Sequence, residues 1–243
     1  MTAADRRTRE RGWTILEVLL VLALVGLLLA IALPNFRASR IRNDEAAAVR
    51  TLREIAKAQA MVRAAALVDE DGDGRGEHAI LAELAGEANP RTYAGGPAGR
   101  YTAALPQFAR RLSPEGEGTI CGYRFRVWLP GPRGRAVAEA GGKPSGPVDP
   151  SLAADTWCAY AWPERREGFV PAATGSRTYF ASQAGEVLGA DADYRAIPAR
   201  DGDAPKVPQP GAAFQPPGPM DTVTGPPAVG TTGRDGLLWR AVK

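Results

Sequence analysis

The chain has 243 residues, of which 44% are apolar and 23% are charged. This is an ordinary globular composition, so the chain is not expected to be wholly disordered, collagen-like or polytopic in a membrane. A net charge of +3, from 30 basic and 27 acidic residues, does not suggest a dedicated nucleic-acid-binding protein. Two cysteines and one histidine are too few for a structural zinc site built only from Cys and His, which needs four ligands.

A membrane-spanning segment is predicted near the N-terminus. Residues 13–33 are apolar except for one strongly polar side chain, Glu17, and arginines precede them at positions 6, 7, 9 and 11. As a helix this stretch is about 31 Å long, which is enough to cross the hydrocarbon core of a bilayer. The arginines are expected to stay in the cytoplasm, with the rest of the chain on the other side of the membrane.

Three kinds of N-terminal segment share this pattern: a cleaved secretory signal, an uncleaved signal anchor and a prepilin leader. A secretory signal has a shorter apolar region followed by small residues around the cleavage position, and Ala30 and Ala32 offer such a site. The apolar run here is longer than such a region, and a helical pattern continues beyond Ala32.

Residues 12–17 resemble the cleavage and methylation motif of the type IV pilin and type II secretion pseudopilin family. In that family a prepilin peptidase cuts after the glycine and methylates the new amine. The resemblance implies cleavage between Gly12 and Trp13, where Trp stands instead of the usual Phe. It also implies a membrane helix at 13–34, with Pro34 at the position of the family's helix-kinking proline. It also implies a structural subunit, not an enzyme, that polymerises with itself or other pilins through its N-terminal helix.

Glu17 supports this interpretation on physical grounds. A charge deep in hydrocarbon costs about 3 kcal/mol even on lenient insertion scales, so it normally has a partner or a function there. In the pilin interpretation the partner is the terminal amine of Trp13, from the same subunit or from a neighbouring one. The alternative is a carboxylate at the membrane interface, stabilised there by the helix dipole.

Beyond Pro34 the helical pattern resumes. Apolar residues recur three, four or seven positions apart, and only Gln59 interrupts them: Ile41, Ala48, Leu52, Ile55, Val62 and Ala66. Residues 35–68 are therefore predicted to be the amphipathic half of one long helix that Pro34 kinks or locally melts, with its apolar stripe against a small head. The alternative is two separate helices broken at Pro34.

An acidic, glycine-rich segment follows the helix. Its alternating carboxylates and a following glycine begin like the calcium-binding loop of an EF-hand, but Ile80 occupies the position of the bidentate glutamate. We predict a Ca²⁺ site from these residues: Asp69, Asp71, Asp73, Glu77 and the carbonyl oxygen of Arg75. The alternative is a solvated acidic turn. His78 is expected to be a surface or N-cap residue.

A short helix at 80–85, ended by Gly86, and an antiparallel sheet are predicted next. Alternating or aromatic-rich segments bounded by turn residues predict the strands: 123–129, 156–162, 177–182 and a short one at Val187 and Leu188. A sheet laid on the second half of a long helix is the architecture of pilin heads. The expected fold class is therefore α+β, with a globular head at 69–196.

Two further expectations concern the head and the C-terminal segment. Cys121 opens the first of these strands and Cys158 lies in the second, so a disulfide is predicted if the head faces an oxidising compartment, with two unpaired thiols as the alternative. Nine prolines and six glycines between positions 197 and 233 predict an extended or disordered tail over 197–243. Trp239 and its apolar neighbours are candidates to dock this tail on the head.

A rival function is that of a membrane-anchored periplasmic enzyme or binding module that shares only the anchor. Such an enzyme needs a catalytic constellation, and the sequence contains no nucleophile elbow, HExxH helix or phosphate-binding loop. Arginines interspersed through the predicted sheet are typical of a solvated face, so nucleic acid is not expected as a partner. The resemblance places the protein in the inner membrane, in contact with its lipid, with a periplasmic or extracellular head, and in a filament after assembly.

Overall fold

The computed structural model describes residues 13–93, 103–165, 173–197, 204 and 206–242. The chain forms two compact units, Met1–Arg40 and Ile41–Lys243. The predicted leader, including Gly12, lies outside the described residues.

One long helix, α1 (Ile15–Ala64), begins in the first unit and ends in the second. Pro34 lies inside α1 without ending it, so the alternative of two helices broken at Pro34 is wrong. The helix ends four residues before the predicted position, and Ala66 then adopts a φ of 44°, which is incompatible with a right-handed helix.

In the first unit, the side chains of residues 13–36 are all exposed. An 18-residue stretch of α1 has a mean hydropathy of 3.0, so the helix is long and apolar enough to span a membrane. By length and composition, α1 is therefore compatible with a single-pass membrane anchor.

The second unit contains two short helices and an antiparallel sheet. The helices are α2 (Leu81–Ala85) and α3 (Pro150–Ala153). The strands are β1 (Gly118–Ile120), β2 (Tyr123–Pro130), β3 (Ala136–Val137), β4 (Glu139–Ala140), β5 (Lys143–Pro144), β6 (Cys158–Pro163), β7 (Thr178–Ser182), β8 (Val187–Ala190), β9 (Thr231–Thr232) and β10 (Leu238–Ala241). In the described part of the chain the main sheet has the order β1-β2-β6-β7-β8-β10-β9, with β3 paired to β2, while β4 and β5 form a separate hairpin.

The predicted short helix and strands are present, with boundaries shifted by one or two residues. A sheet of antiparallel strands after one long helix confirms the α+β class. Gly86 ends α2 with a φ of 75°, a left-handed conformation that costs glycine least.

The sheet has an apolar core on each face. The helix-side core joins the second half of α1, including Leu52, Ile55 and Val62, to the strand residues Phe125 and Ala159. The tail-side core includes these fully buried rings from the strands and the C-terminal segment: Tyr160, Trp162, Phe180, Phe214 and Trp239.

Strand β6 shows how one segment serves both faces. Its side chains alternate, so Ala159 and Ala161 belong to the helix-side core while Tyr160 and Trp162 belong to the tail-side core. Small residues toward α1 leave room for its leucine and isoleucine side chains, and large rings fill the opposite face.

The amphipathic stripe of α1 is confirmed at its centre. Ala48, Leu52, Ile55 and Val62 are each no more than 1% exposed. Gln59, the polar interruption of this stripe, is also fully buried. Its amide nitrogen donates to the carbonyl oxygen of Ala79 at 2.7 Å, and its amide oxygen accepts from the Ala79 N–H at 2.8 Å. These two bonds join α1 to the chain that leads into α2.

The extended or disordered tail predicted for 197–243 is wrong over the described residues 206–242. β10 pairs with β8 and β9, and Phe214 and Trp239 are completely buried. Docking at Trp239 is therefore observed, but as one part of a larger interface. The head extends to residue 242 instead of ending at 196, because apolar residues between the prolines and glycines cover a sheet face that would otherwise meet water.

Candidate functional site

The first candidate site is the start of α1. Thr14 precedes the helix, and its hydroxyl and carbonyl oxygens accept hydrogen bonds from the Glu17 N–H at 3.2 and 3.1 Å. The Thr-x-x-Glu spacing is that of a capping box, which the sequence analysis did not use. Trp13 is 71% exposed, and among the described residues no side chain pairs with the Glu17 carboxylate. The first turn thus presents an aromatic ring and a carboxylate at the beginning of an exposed apolar helix.

The second candidate site is the acidic loop at residues 69–77. Asp69, Asp71 and Glu77 each offer a carboxylate oxygen, and these oxygens lie within 4.8 Å of one another. Ca²⁺ lies about 2.4 Å from its oxygen ligands, so two ligands on opposite sides of an ion are about 4.8 Å apart. These three carboxylates are therefore candidate ligands for one metal ion.

Backbone hydrogen bonds shape this loop around Asp69. Its Oδ1 accepts from the Gly72 N–H at 2.8 Å and its Oδ2 from the Gly74 N–H at 3.3 Å. Gly72 has a φ of 74°, and the ring of Tyr93 covers the place where a Cβ would stand, so this turn favours glycine.

Glu77 is the buried member of the cluster, with 1% of its surface exposed. Its Oε1 accepts from the Glu70 N–H at 2.6 Å, while its Oε2 is buried and has no hydrogen-bond partner among the described residues. Burial raises the pKa of Glu77, and the Glu70 N–H and the charge of Arg91 oppose that rise. A divalent cation would satisfy the bare oxygen and favour the ionised carboxylate.

Asp73 lies differently from the prediction. Asp73 is outside the three-carboxylate cluster, and its Oδ1 accepts from the Arg75 N–H at 2.7 Å. The guanidinium group of Arg75 pairs with Asp155 at 3.2 Å, beside a second ion pair from Arg63 to the same carboxylate at 2.7 Å. The carboxylates that fit a hard cation are therefore Asp69, Asp71 and Glu77, with the remaining ligands left to carbonyl groups or water.

His78 is buried and the N-cap residue of α2 is Ile80, so the expected position of His78 at the surface or at an N-cap is wrong. Its ring packs against Trp157 with the ring centroids 5.9 Å apart. Burial lowers the pKa of His78 to about 4, and the charge of Arg63 acts in the same direction. The imidazole is therefore neutral at neutral pH.

The predicted disulfide between Cys121 and Cys158 is not formed. Cys121 is exposed in the turn between β1 and β2, and Cys158 is buried, both as free thiols. The sheet register pairs Cys158 with Trp128, whereas Cys121 comes two residues before Tyr123 at the other end of β2. Trp128 lies five positions after Tyr123 along the strand, about 17 Å away. A disulfide needs Cα atoms less than about 7 Å apart, so the register forbids it.

Two of the arginines interspersed through the sheet are paired with acidic residues. Glu117 accepts from Arg124 at 2.9 Å and from Arg126 at 2.6 Å. Arg124 also lies 3.5 Å from Glu164. Acidic partners that lie apart in the sequence thus neutralise these side chains, and strand alternation alone could not reveal them.

Buried carboxylates around α2 are polar groups that the sequence did not reveal. Glu139 accepts from the Ala82 N–H at 3.0 Å, and Glu83 accepts from the Ile80 N–H at 2.9 Å. Burial raises the pKa of Glu139. Both carboxylates satisfy backbone N–H groups at the start of α2, which is a structural role.

Comparison with known proteins identifies no relative. No protein-family model, no curated protein and no solved structure matches this chain. Its function is therefore inferred from the motif at the start of α1 and from the geometry of the two candidate sites.

Proposed function

We propose that this protein is a structural subunit of a type IV pilus or a type II secretion pseudopilus. In this proposal a prepilin peptidase cuts between Gly12 and Trp13, and the mature subunit polymerises through its N-terminal helix. The observation that carries the proposal is the first half of α1: an exposed apolar helix whose first turn contains Glu17, the last residue of the segment that resembles the cleavage motif.

The chemistry of assembly follows from charge pairing in an apolar environment. Cleavage creates a positive amine at Trp13, and methylation keeps it positive. The Glu17 carboxylate, which has no partner among the described side chains, neutralises the amine of an adjacent subunit. Where water is scarce, a paired charge is tolerated and a lone one is strongly disfavoured. This pairing would set the axial position of one helix against the next.

The proposal assigns no chemical reaction to the head. In it, the head lies on the far side of the inner membrane until assembly carries it into the filament. The rival function is that of a membrane-anchored enzyme or binding module. N-terminal processing and the behaviour of Glu17 variants distinguish this function from that of a pilin subunit.

Calcium binding by the head is a second element of the proposal. Asp69, Asp71 and Glu77 would hold the ion, which would tie the loop after α1 to a fixed geometry. The specific observation in its favour is the buried Oε2 of Glu77, which has no hydrogen-bond partner in the described part of the chain.

Processing is tested by sequencing the N-terminus of the full chain after expression with a prepilin peptidase. The proposal expects methylated Trp13 as the first residue. Cleavage by signal peptidase would leave Leu33, and an uncleaved anchor would keep the arginines of the leader. Either of these ends would contradict the proposal.

Assembly is tested with Glu17→Ala. Insertion and cleavage should continue, because the change makes the membrane segment more apolar, whereas entry into filaments should fall at least tenfold. Glu186→Ala, at an exposed position of the head, is the matched control and should assemble normally. Crosslinking of the Glu17 variant into filaments at the wild-type level would refute polymerisation through this helix.

The calcium site is tested by thermal unfolding of the full chain in detergent, with Ca²⁺ and with a chelator. At an ion concentration 100 times the Kd, binding stabilises the folded state by about 2.7 kcal/mol. Glu77→Gln should abolish the Ca²⁺-dependent rise in Tm, whereas Asp73→Asn should keep it because Asp73 lies outside the cluster. Equal Tm values for the wild-type protein in both buffers would refute the calcium site and favour the interpretation of residues 69–77 as a solvated acidic turn.

A further inference from the structure

A cleft of about 470 Å³ lies in the second unit, beside the last turns of α1. Small side chains of the helix line it, namely Ala56, Ala60 and Ala64, together with the buried ring of Trp157. Ligand sites in proteins have volumes of about 300 to 1,000 Å³ and mainly apolar walls. The cleft is therefore large enough for a small organic molecule, or one residue of a peptide, with an apolar side chain.

His78 also lines this cleft, and its ring lacks hydrogen-bond partners. The residue is 4% exposed, and both Nδ1 and Nε2 are buried without a hydrogen bond to any described residue. A neutral imidazole has one N–H donor and one acceptor nitrogen. Buried polar atoms are normally bonded to protein, water or a ligand, because an unmade bond is costly. The ring of His78 thus points to a polar partner in the cleft.

Two guanidinium groups, those of Arg63 and Arg75, line the same cleft. Nη2 of Arg63 lies 2.7 Å from Oδ1 of Asp155, and Nη2 of Arg75 lies 3.2 Å from Oδ2 of the same carboxylate. One carboxylate therefore holds two positive groups next to each other. Their side chains are 46% and 56% exposed, so a ligand can reach them. Each guanidinium group has five N–H donors and can bond a second anion while it stays paired with Asp155.

We propose that this cleft binds a carboxylate that carries an amide and an apolar side chain, which is the chemistry shared by an N-acylated amino acid and the C-terminal residue of a peptide. The carboxylate accepts charge-assisted hydrogen bonds from Arg63 and Arg75, whose planar groups match its geometry. The apolar side chain packs against Trp157, and the amide supplies a donor and an acceptor for His78. This binding is not part of the proposed function and does not depend on it.

The test is calorimetric titration of the full chain in detergent with N-acetylphenylalanine, which has a ring, an amide and a carboxylate. We expect a saturable heat of binding. The uncharged analogue N-acetylphenylalaninamide keeps the ring and the amide and should bind about tenfold more weakly, because it lacks the charge-assisted bonds. A tetrapeptide with a C-terminal phenylalanine identifies the source of the ligand. Binding at least as tight as that of the acetyl compound assigns the cleft to a peptide C-terminus, and weaker binding assigns it to a small free acid.

The first variant is Arg63→Gln with Arg75→Gln, which removes both guanidinium groups at exposed positions. It should weaken binding of the acid about tenfold and leave binding of the uncharged analogue unchanged. The matched control removes two exposed arginines elsewhere on the head, Arg110→Gln with Arg111→Gln, and should bind the acid as the wild-type chain does.

A second variant, Ala60→Leu, fills the cleft from an exposed position of α1 and should abolish the saturable heat, so that only partition of the compound into detergent remains. Ala46→Leu, at an exposed position earlier on the same helix, is its control and should bind normally. His78→Phe keeps a ring but removes both nitrogens, and should weaken binding about fivefold. Equal binding of acid and uncharged analogue, an unchanged affinity in the arginine or Ala60 variant, or no saturable heat with the wild-type chain would overturn the inference.

Discussion

The two faces of the sheet are covered by very different parts of the chain. On one face lies the second half of α1, a regular helix with an apolar stripe. On the other lies the C-terminal segment of residues 206–242, which is rich in proline and glycine and contains only two short strands. Both faces exclude water equally well, since every residue of β6 and β7 is buried. A face can therefore be closed without a regular element, provided that apolar side chains reach it.

The cost of covering a face with irregular chain is that each backbone polar group needs its own partner. On the tail side these partners are individual contacts. The Ala136 N–H donates to the Asp221 carbonyl at 2.7 Å, and the Ala213 N–H donates to the Tyr160 hydroxyl at 2.9 Å. On the helix side the i to i−4 hydrogen bonds of α1 satisfy the backbone without further residues.

Removing one large ring is the strongest way to compare the faces. Trp239→Ala should lower the free energy of unfolding by about 4 kcal/mol, and Ile55→Ala on the opposite face by about 3 kcal/mol, because each leaves a cavity in a packed core. Urea unfolding of the full chain in detergent measures both. A loss below about 1 kcal/mol for Trp239→Ala would mean that the C-terminal segment rests only loosely on the sheet.

Acid should lower the free energy of unfolding through His78, which is buried on the helix side of the sheet. The unfolded chain protonates this ring below pH 6.5, but burial lowers the pKa in the folded protein to about 4. The contribution of the neutral His78 ring to the free energy of unfolding is therefore complete above pH 6.5. It is lost as the pH falls toward 4, and the total loss is about 3 kcal/mol. His78→Phe, which keeps a ring against Trp157, should flatten the stability profile in this window.

The raised pKa values of Glu77 and Glu139 act in the opposite direction, since these carboxyl groups favour folding as they protonate. The difference between the wild-type and His78→Phe profiles isolates the histidine. Parallel profiles between pH 6.5 and pH 4 would contradict a buried neutral imidazole.

Gln59 tests a polar link on the helix side. Gln59→Leu keeps most of the volume but leaves the N–H and C=O groups of Ala79 buried without partners. We expect a loss of about 2 kcal/mol, because each bare backbone group costs about 1 to 3 kcal/mol and the added apolar surface offsets part of it. A variant as stable as the wild-type protein would show that the chain before α2 finds other partners, or that water reaches it.

The smallest expected effect concerns the cysteines. Cys121→Ser should change the free energy of unfolding by less than about 0.5 kcal/mol, because the thiol is exposed and bonded to nothing in the described part of the chain. Alkylation of the unreduced, folded protein should label Cys121 alone, and Cys158 should react only after unfolding. A protein that takes up no label before reduction would show a disulfide and would contradict the observed register.

Features that belong to a single helix, strand or loop could be predicted from the sequence. Three features are of this kind: the apolar length of residues 13–33, the stripe through Leu52 and Ile55, and the alternating strand that begins at Tyr123. Each is a pattern within one segment, so it can be recognised without knowing which part of the chain packs against that segment. The acidic loop was found in the same way. Its carboxylates are neighbours in the chain, so their types and spacing were visible, although the separation of Asp73 from the other three was not.

Features that depend on residues distant in the chain became visible only in the folded structure. The register of β2 against β6 places Cys121 far from Cys158, and packing against Trp157 buries His78. The C-terminal segment is the clearest case, because its composition predicts an irregular backbone but not whether that backbone is packed. The aromatic face of the sheet decides that, since it would meet water without the C-terminal segment, and burial of Tyr160 and Phe180 against Trp239 offsets the entropy lost by ordering the irregular chain.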